Sequence, residues 1–358
     1  MSHSFDHGGN IFTVARTLGI PPEQILDFSA SINPLGMSST VRKALISSLD
    51  NLIHYPDSGH RELKRTLAKY HALPETHFTI ANGSTELIYN LPAMIPGSKA
   101  LIISPSFSEY ARALNQHHWE AQHFILTPES NFSIDTDKLD QALAGGVDAL
   151  YICNPGNPSG RLYPQRTIEK IFRLCLAAGT FMILDEAFMD FCEDASAKRT
   201  IIQSENAIIL RSMTKFFGIP GLRLGYAISN TVLAERLDPM GGPWSVNTMA
   251  LAAGEAALQD VQHNQETLEV IRQERRSLFE HLGQFSQLKL YPSSTNYILA
   301  EIINGMSSME LRERLLPQRI LIRDCASFIG LTGSFFRIAV RTGEENKRLL
   351  GCLGEILK

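Results

Sequence analysis

Short apolar runs alternate with amphipathic stretches through the middle of the chain. The runs at residues 149–153, 180–184 and 207–210 are apolar at nearly every position, which is typical of strands buried on both faces. Turns rich in glycine, proline or asparagine and helix-like stretches separate the runs. Between about residues 78 and 228 this order of elements predicts βαβ units and an α/β fold with a mostly parallel sheet.

The pattern changes after Met240. The stretch from Met240 to Asn247, rich in glycine and proline, is typical of a connection between domains. We therefore expect a large domain of residues 52–240 and a small domain of residues 1–51 and 241–358. In the small domain, helices are expected at 11–18, 39–49, 248–282 with a break near Asp260, 308–316 and 343–357, and strands at 289–291, 297–301, 320–325 and 335–340.

Composition and charge narrow the possible functions. Of the 358 residues, 44% are hydrophobic and 20% are charged, and the net charge is −4. This charge provides no general attraction to nucleic acid or to an anionic membrane, so neither is expected as a partner. No apolar segment reaches the roughly 20 residues that span a bilayer, and the N-terminus lacks a signal-peptide pattern. The five cysteines form no C-x-x-C pair and the histidines show no metal-ligand spacing, which favours a cytoplasmic protein without a metal site.

Candidate chemistry begins with Lys215. It lies in a glycine- and proline-rich turn just after the apolar run at 207–210, and Ser212 and Arg223 belong to the same turn. A buried lysine beside a hydroxyl and an arginine is typical of an amine held for Schiff-base formation, with an anion held next to it.

Three further candidates follow the ends of predicted strands, where open α/β sheets bind ligands. Asp185 ends a buried strand, which suits a partner for a buried cation but also a helix cap or a structural ion pair. Asn157 is held at the tip of the rigid loop Asn154-Pro-Gly-Asn-Pro-Ser-Gly160 and can donate to a ligand oxygen. Phe107 suits stacking on a flat ring or packing in the core.

A possible phosphate cup lies at Gly83, Ser84 and Thr85. These residues open a predicted helix, where free N–H groups and the helix dipole stabilise a phosphate. The alternative is simple helix capping by the hydroxyl of Ser84 or Thr85.

The first 55 residues hold further candidates for ligand binding. His7-Gly8-Gly9-Asn10 suits close approach to a ligand, or a flexible terminus with a chance glycine pair. Asn33 is held extended by Pro34, which suits a side chain presented to a site. Tyr55, in a polar loop, is compatible with a simple surface anchor.

Together these candidates describe a site for pyridoxal 5′-phosphate. Lys215 supplies the Schiff-base amine, Asp185 keeps the pyridine nitrogen protonated, and Asn157 donates to the phenolic oxygen. Phe107 stacks on the ring. The phosphate is expected to bind Ser212, Arg223 and the backbone amides near Gly83, Ser84 and Thr85.

At this point the chain resembles, over essentially its whole length, the fold-type I enzymes of the aspartate-aminotransferase superfamily. The resemblance rests on the loop at 154–160, Asp185-Glu-Ala-Phe188, Ser212-Met-Thr-Lys215 and Gly221-Leu-Arg-Leu-Gly225. The motifs are most similar to the subgroup of histidinol-phosphate aminotransferases and L-threonine-O-3-phosphate decarboxylases. Phe188 stands where most of the superfamily has a tyrosine that hydrogen-bonds the cofactor, and this departure favours the decarboxylases.

The resemblance implies a homodimer, with Tyr55 in the partner's site near the cofactor phosphate. It implies that Arg337 binds a substrate carboxylate and that His7, Gly8, Asn33 and Arg323 surround a substrate phosphate. The expected activity is decarboxylation of L-threonine O-3-phosphate in cobalamin biosynthesis. The alternatives are histidinol-phosphate aminotransferase and a non-catalytic regulator that binds the same cofactor, although the chain shows no extra segment for binding DNA or a partner.

Overall fold

A seven-stranded sheet occupies the middle of the chain. The structure is a computed structural model that describes residues 7–357. Residues 1–6 and Lys358 lie outside the described residues. The expected absence of a signal peptide rests in part on residues 1–6. The strands of this sheet are β2 (Phe78–Ala81), β3 (Lys99–Ser104), β4 (Glu120–Ile125), β5 (Ala149–Cys153), β6 (Phe181–Asp185), β7 (Ala207–Ser212) and β8 (Gly225–Ile228).

The strand order is β2-β8-β7-β6-β5-β3-β4. All pairings among β3 to β7 are parallel, and only β8 runs against its neighbours. Every residue of β5, β6 and β7 is buried, as expected for central strands covered by helices on both faces. The prediction of an α/β fold with a mostly parallel sheet is confirmed.

Helices cover the sheet and connect its strands. The predicted break near Asp260 is present, because the Asp260 side chain accepts a hydrogen bond from His263 N and so begins a new helix. No helix of residues 7–357 is both long enough and apolar enough to cross a membrane. The helices are α1 (Ile11–Leu18), α2 (Ser39–Ser47), α3 (Arg61–His71), α4 (Ser84–Met94), α5 (Glu109–Gln116), α6 (Thr136–Leu143), α7 (Gln165–Ala178), α8 (Lys198–Ile201), α9 (Thr231–Leu237), α10 (Thr248–Gln259), α11 (Val261–Leu282), α12 (Ser308–Leu315) and α13 (Gly343–Ile356).

The later strands differ from the prediction at one place. The expected single strand at 320–325 is wrong, because the chain changes pairing partner at Ile322. Residues 320–321 pair in parallel with residues 26–27. Residues 323–324 pair antiparallel with residues 336–337. The remaining strands are β1 (Leu26–Asp27), β9 (Leu288–Tyr291), β10 (Tyr297–Ile302), β11 (Ile320–Leu321), β12 (Arg323–Asp324) and β13 (Phe335–Ala339).

Two smaller sheets result from this change of partner. One pairs β1 with β11, and the other has the order β12-β13-β10-β9. The seven-stranded sheet falls within the predicted large domain and the four-stranded sheet within the predicted small domain, while the domain boundaries themselves stay a prediction. The carboxyl ends of β3, β5, β6 and β7 lie at one edge of the large sheet, where a parallel arrangement gathers the residues that follow each strand.

A buried ionic cluster lies beside this edge. Arg211, fully buried in β7, faces three carboxylates, with its guanidinium 3.5 Å from Glu186, 3.6 Å from Asp190, and paired with Glu193. Burial raises the pKa of Glu186 to about 7. For Glu193 burial acts in the same direction, but Arg211, His71 and Lys198 together outweigh it and hold the pKa below its usual range. Lys198 also pairs with Glu193, but Arg211 is the cation that all three carboxylates share, and it is one residue away from Ser212.

Replacing that cation should destabilise the fold. In Arg211→Met the carboxylates of Glu186 and Asp190 are left buried without the guanidinium that they face, and we expect the free energy of unfolding to fall by about 3–5 kcal/mol. The measurement is urea unfolding followed by circular dichroism. The control is Arg276→Met, which removes an exposed pair with Glu280 and should change stability by less than about 0.5 kcal/mol. Equal stabilities for the two variants would contradict this interpretation.

Candidate active site

A cavity of about 630 Å³ opens at the carboxyl edge of the large sheet. Its walls also include residues from His7 to Phe12 and the strands that carry Arg323 and Arg337. The structure therefore brings together residues that lie more than 300 positions apart. The predicted site residues that line it are His7, Gly8, Ser84, Thr85, Phe107, Asn157, Asp185, Ser212, Lys215, Arg223, Arg323 and Arg337.

Lys215 is held as a buried amine. Its Nζ donates a hydrogen bond to Thr214 Oγ1 at 2.9 Å, and the Ser212 and Thr214 hydroxyls are 2.8 Å apart. Burial lowers the pKa of Lys215 to about 8, and the charges of Arg223 and Arg337 act in the same direction. A lower pKa gives more neutral amine near neutral pH, and the neutral amine is the nucleophile. Thr214 was not among the predicted site residues, although it directly precedes Lys215.

Asp185 is held by two donors at the end of β6. The Tyr110 hydroxyl donates to Oδ2 at 2.5 Å, and the Ala187 N–H donates to Oδ1 at 2.9 Å. Burial raises the pKa of the Asp185 carboxyl, while both hydrogen bonds and the Lys215 charge limit that rise. A carboxylate held in this way suits a cationic partner in the cavity. Tyr110 was missed at the sequence level, and its only signal there is its position one turn after Phe107.

The predicted phosphate cup is open at the start of α4. The N-cap residue is Gly83, with φ +79°, and no side chain caps this helix, so the alternative of capping by Ser84 or Thr85 is wrong. A Cβ on Gly83 would lie 2.6 Å from Arg223 Nη2, and a Cβ on Gly225 would lie 2.3 Å from Ser84 N. Glycines at both positions therefore let an arginine and a helix N-terminus approach one another, which suits a phosphate.

Arg337 and Asn157 form one unit. Arg337 Nη1 donates to Asn157 Oδ1, Nη2 donates to the Ser29 carbonyl at 3.1 Å, and the guanidinium lies 4.9 Å from the Tyr297 ring centre. Because Oδ1 of Asn157 accepts from Arg337, its Nδ2 is the group that can donate to a ligand. Phe188 lines the same wall and meets Tyr297 edge to face at 5.0 Å.

Arg323 and Arg337 are neighbours across two strands. They occupy facing positions in the β12–β13 register, where two like charges cost stability. Both side chains are buried, so the pair indicates a place for anions. Arg323 donates to Ser327 Oγ at 3.1 Å and lies over the Phe328 ring at 5.3 Å.

The chain start forms part of the cavity wall. His7 Nε2 lies 2.9 Å from Glu109 Oε1, and the His7 ring is 5.6 Å from Phe107. A Cβ on Gly8 would lie 2.1 Å from the Ser29 carbonyl oxygen, so only glycine fits this close approach. These contacts place residues 7 and 8 in the wall of the cavity, between Glu109, Phe107 and Ser29.

Gly83, Asn33 and Tyr55 are not among the residues that line this cavity, although Gly83 directly precedes Ser84 in its wall. Asn33 is only 3% exposed, and its side chain is occupied by the Phe216 carbonyl and the Thr267 hydroxyl, which corrects the expectation that it contacts substrate. Tyr55 is 79% exposed and stacks on Trp244 at 4.5 Å on the outer surface. Its expected position in a partner's site stays a prediction.

The residues present fit pyridoxal phosphate. The cavity holds a buried amine at Lys215, a buried carboxylate at Asp185, and an arginine beside an open helix N-terminus. These are the groups needed by an aldehyde, a pyridinium nitrogen and a phosphate, respectively. Among residues 7–357, no group of three or more histidine, cysteine or acidic side chains is arranged to hold a metal ion.

The lowered pKa of Lys215 is open to test. In Arg223→Met the amine stays buried but loses a neighbouring positive charge, so its pKa should rise from about 8 toward the ordinary value of 10.5. The measurement is competitive labelling of the cofactor-free protein with acetic anhydride across a pH series, with the Lys215 peptide quantified by mass spectrometry. The exposed Arg272→Met should leave the midpoint where it is. An unshifted midpoint in Arg223→Met would show that the Arg223 charge does not contribute to the lowered pKa of Lys215.

Comparisons with known proteins agree with this geometry. The family model for aminotransferase class I and II matches residues 23–353. A threonine-phosphate decarboxylase of Salmonella typhimurium is 40% identical over 98% of this chain and 96% of its own length. An adenosylcobalamin biosynthesis bifunctional protein of Leptospira interrogans is 31% identical over 98% of this chain and 41% of its own length.

The fold also matches a solved structure. The histidinol-phosphate aminotransferase of Clostridium acetobutylicum superposes with a TM-score of 0.86 and 30% identity, covering 92% of this chain and 98% of the other. The family model spans nearly the whole chain, and the cavity holds the residues that its motifs predict. The chain therefore belongs to the aminotransferase class I and II family.

Proposed function

We propose that this protein is a pyridoxal-phosphate-dependent decarboxylase of L-threonine O-3-phosphate that produces (R)-1-aminopropan-2-yl phosphate and CO2. The observation that carries the proposal is the facing pair Arg323 and Arg337 in the cavity that holds Lys215. The 40% identity to the Salmonella decarboxylase supports the substrate. The similarity to an adenosylcobalamin biosynthesis protein supports a place in cobalamin biosynthesis.

The substrate needs two anion sites at once. L-threonine O-3-phosphate carries a carboxylate at one end and a phosphate at the other, and each arginine can meet one anion. Arg337 is assigned to the carboxylate because it lies beside Asn157 at the sheet edge. Arg323 is assigned to the phosphate, together with His7 and the glycine at position 8, because these residues line the outer part of the cavity and an adjoining smaller one.

The protein residues choose which bond breaks. When bound, pyridoxal phosphate supplies an electron sink for the pair that is left at Cα. Arg337 and Arg323 hold the two ends of the substrate, so they decide whether the carboxylate or the hydrogen on Cα stands out of the ring plane. Lys215 Nζ, whose pKa is about 8, is placed to return a proton to Cα after CO2 has left. Asp185, whose Oδ2 accepts from the Tyr110 hydroxyl, would hold the pyridinium nitrogen in its protonated form.

Phe188 favours decarboxylation over transamination in this proposal. A tyrosine at that position would bring a hydroxyl to the phenolic oxygen of the cofactor, as a second hydrogen-bond donor beside the Asn157 amide. With Phe188 packed against Tyr297, the Asn157 Nδ2 is left as the donor assigned to that oxygen. The alternative activity is that of a histidinol-phosphate aminotransferase, which the match to the Clostridium enzyme keeps open.

Product analysis decides between the two activities. Purified protein with pyridoxal phosphate and L-threonine O-3-phosphate should release CO2 while the cofactor stays in its aldehyde form. Lys215→Ala should lose turnover by at least about a thousandfold, because the amine is removed. A matched control is Lys289→Ala, which removes an exposed lysine of β9 and should keep full activity. Formation of pyridoxamine phosphate with histidinol phosphate as amino donor, and no CO2 from phosphothreonine, would refute the decarboxylase assignment.

We also propose that the protein acts as a homodimer through the surface around Tyr55. Large apolar side chains are exposed together in this part of the sequence: Leu49 is 50% exposed, Leu52 54% and Ile53 83%. Tyr55 stacks on Trp244 beside them. Monomeric proteins rarely expose such a group, and a second copy would cover it.

A charge on this surface should separate the subunits. Ile53→Glu places a carboxylate in the proposed interface, and we expect a shift from dimer to monomer in light scattering, together with lost activity. Ile303→Glu is the matched control, because Ile303 is also well exposed, at 58%, but lies in the late part of the chain. A dimer that persists in Ile53→Glu at micromolar concentration would argue against this surface.

A further inference from the structure

The turn that carries Lys215 is held from a distant part of the chain. Between β7 and β8 the backbone forms turns without a regular strand or α-helix. Two successive carbonyl groups of this turn accept hydrogen bonds from the same residue. The Lys215 carbonyl accepts from Asn33 N–H at 3.0 Å, and the Phe216 carbonyl accepts from Asn33 Nδ2 at 2.8 Å.

Asn33 is itself held so that its amide nitrogen faces this turn. Its Oδ1 accepts from Leu35 N at 3.0 Å and its carbonyl accepts from Gly36 N at 3.0 Å. With the oxygen used in this way, both hydrogens of Nδ2 go to Phe216 O and to Thr267 Oγ1, the latter at 2.9 Å. Both donors of the side chain are therefore used, and none is left for an anionic ligand.

The two turns are also in direct steric contact. Gly218 has φ +67°, and a Cβ there would lie 2.6 Å from the carbonyl carbon and oxygen of Gly36. The segment at 33–36 and the turn at 215–218 therefore fit together without space for an added methyl group. A change in one turn must displace the other.

We propose that Asn33 is a positioning residue for Lys215, which sets the direction of the lysine side chain by fixing the peptide groups on both sides of Phe216. This role rests on the proposed function, in which the Lys215 amine is the reacting group. Loss of the Asn33 side-chain amide leaves the buried Phe216 carbonyl short of its donor, so the turn must move to find another partner, although the backbone bond to the Lys215 carbonyl stays. Lys215 Nζ then leaves its place between Thr214 and the two arginines.

The test uses Asn33→Asp and Asn33→Ser in the full-length protein. Asp keeps the volume but replaces the donor with an acceptor, and Ser is too short to reach the Phe216 carbonyl. The first readout is competitive acetic anhydride labelling of the cofactor-free protein, in which the midpoint for Lys215 should move upward as the amine leaves the arginines. The second is kcat with phosphothreonine, which should fall by about tenfold or more with KM nearly unchanged, because a displacement of about 1 Å can cost about 100-fold.

Thr267→Val is the matched control. It removes the other partner of Asn33 Nδ2 and leaves the bond to Phe216 in place, so stability should fall but the labelling midpoint of Lys215 should not move. A folded Asn33 variant with an unchanged midpoint overturns the inference. A raised KM with an unchanged midpoint also overturns it and assigns Asn33 to the substrate. If wild-type protein releases no CO2 while the midpoints still shift, the proposed function fails and the positioning contact stands.

Discussion

The excess of positive charge in one buried cavity is the constraint on which the site depends. Lys215, Arg223, Arg323 and Arg337 line this cavity together with only two carboxylates among the described residues, Asp27 and Asp185. Charges of one sign in a low-dielectric space repel one another, and water is available only through the cavity mouth. The arrangement is stable because the arginines donate to backbone and side-chain oxygens, and because Lys215 can lose its proton near neutral pH. The same arrangement selects for ligands that carry several negative charges.

The sheet supplies the geometry that makes this concentration of charge possible. Parallel strands place the ends of β5, β6 and β7 at one edge. The loop amide, the carboxylate and the amine that follow these strands in the sequence therefore lie close together there. The antiparallel β8 then returns the chain so that Gly225 lies opposite Ser212. This return brings Arg223 to the open start of α4. Beneath the edge, Arg211 is buried in the strand that leads to Lys215 and pairs with carboxylates from the segment that follows β6.

The sequence predicted the parts of the site that follow from local order along the chain. Lys215, Asp185 and Asn157 each come just after a buried apolar run, and a parallel sheet brings such positions together. Asn33 was misassigned because its partners, Phe216 and Thr267, lie far away in the sequence, and no periodicity encodes them. The same reason applies to the split of β11 and β12, because the change of pairing partner at Ile322 is a tertiary event.

The position of residues 26–36 in the chain has a consequence for the order in which the protein folds as it is synthesised. β1 pairs with β11, the Phe28 carbonyl accepts from Ala339 N, and Asn33 then holds the Lys215 turn. Residues 26–36 leave the ribosome long before their partners at 320–339 are made. A nascent chain that already contains the whole seven-stranded sheet therefore still lacks the strands that seat the segment against the lysine turn. Assembly of the reactive centre is thus delayed until residues 320–339 have been made.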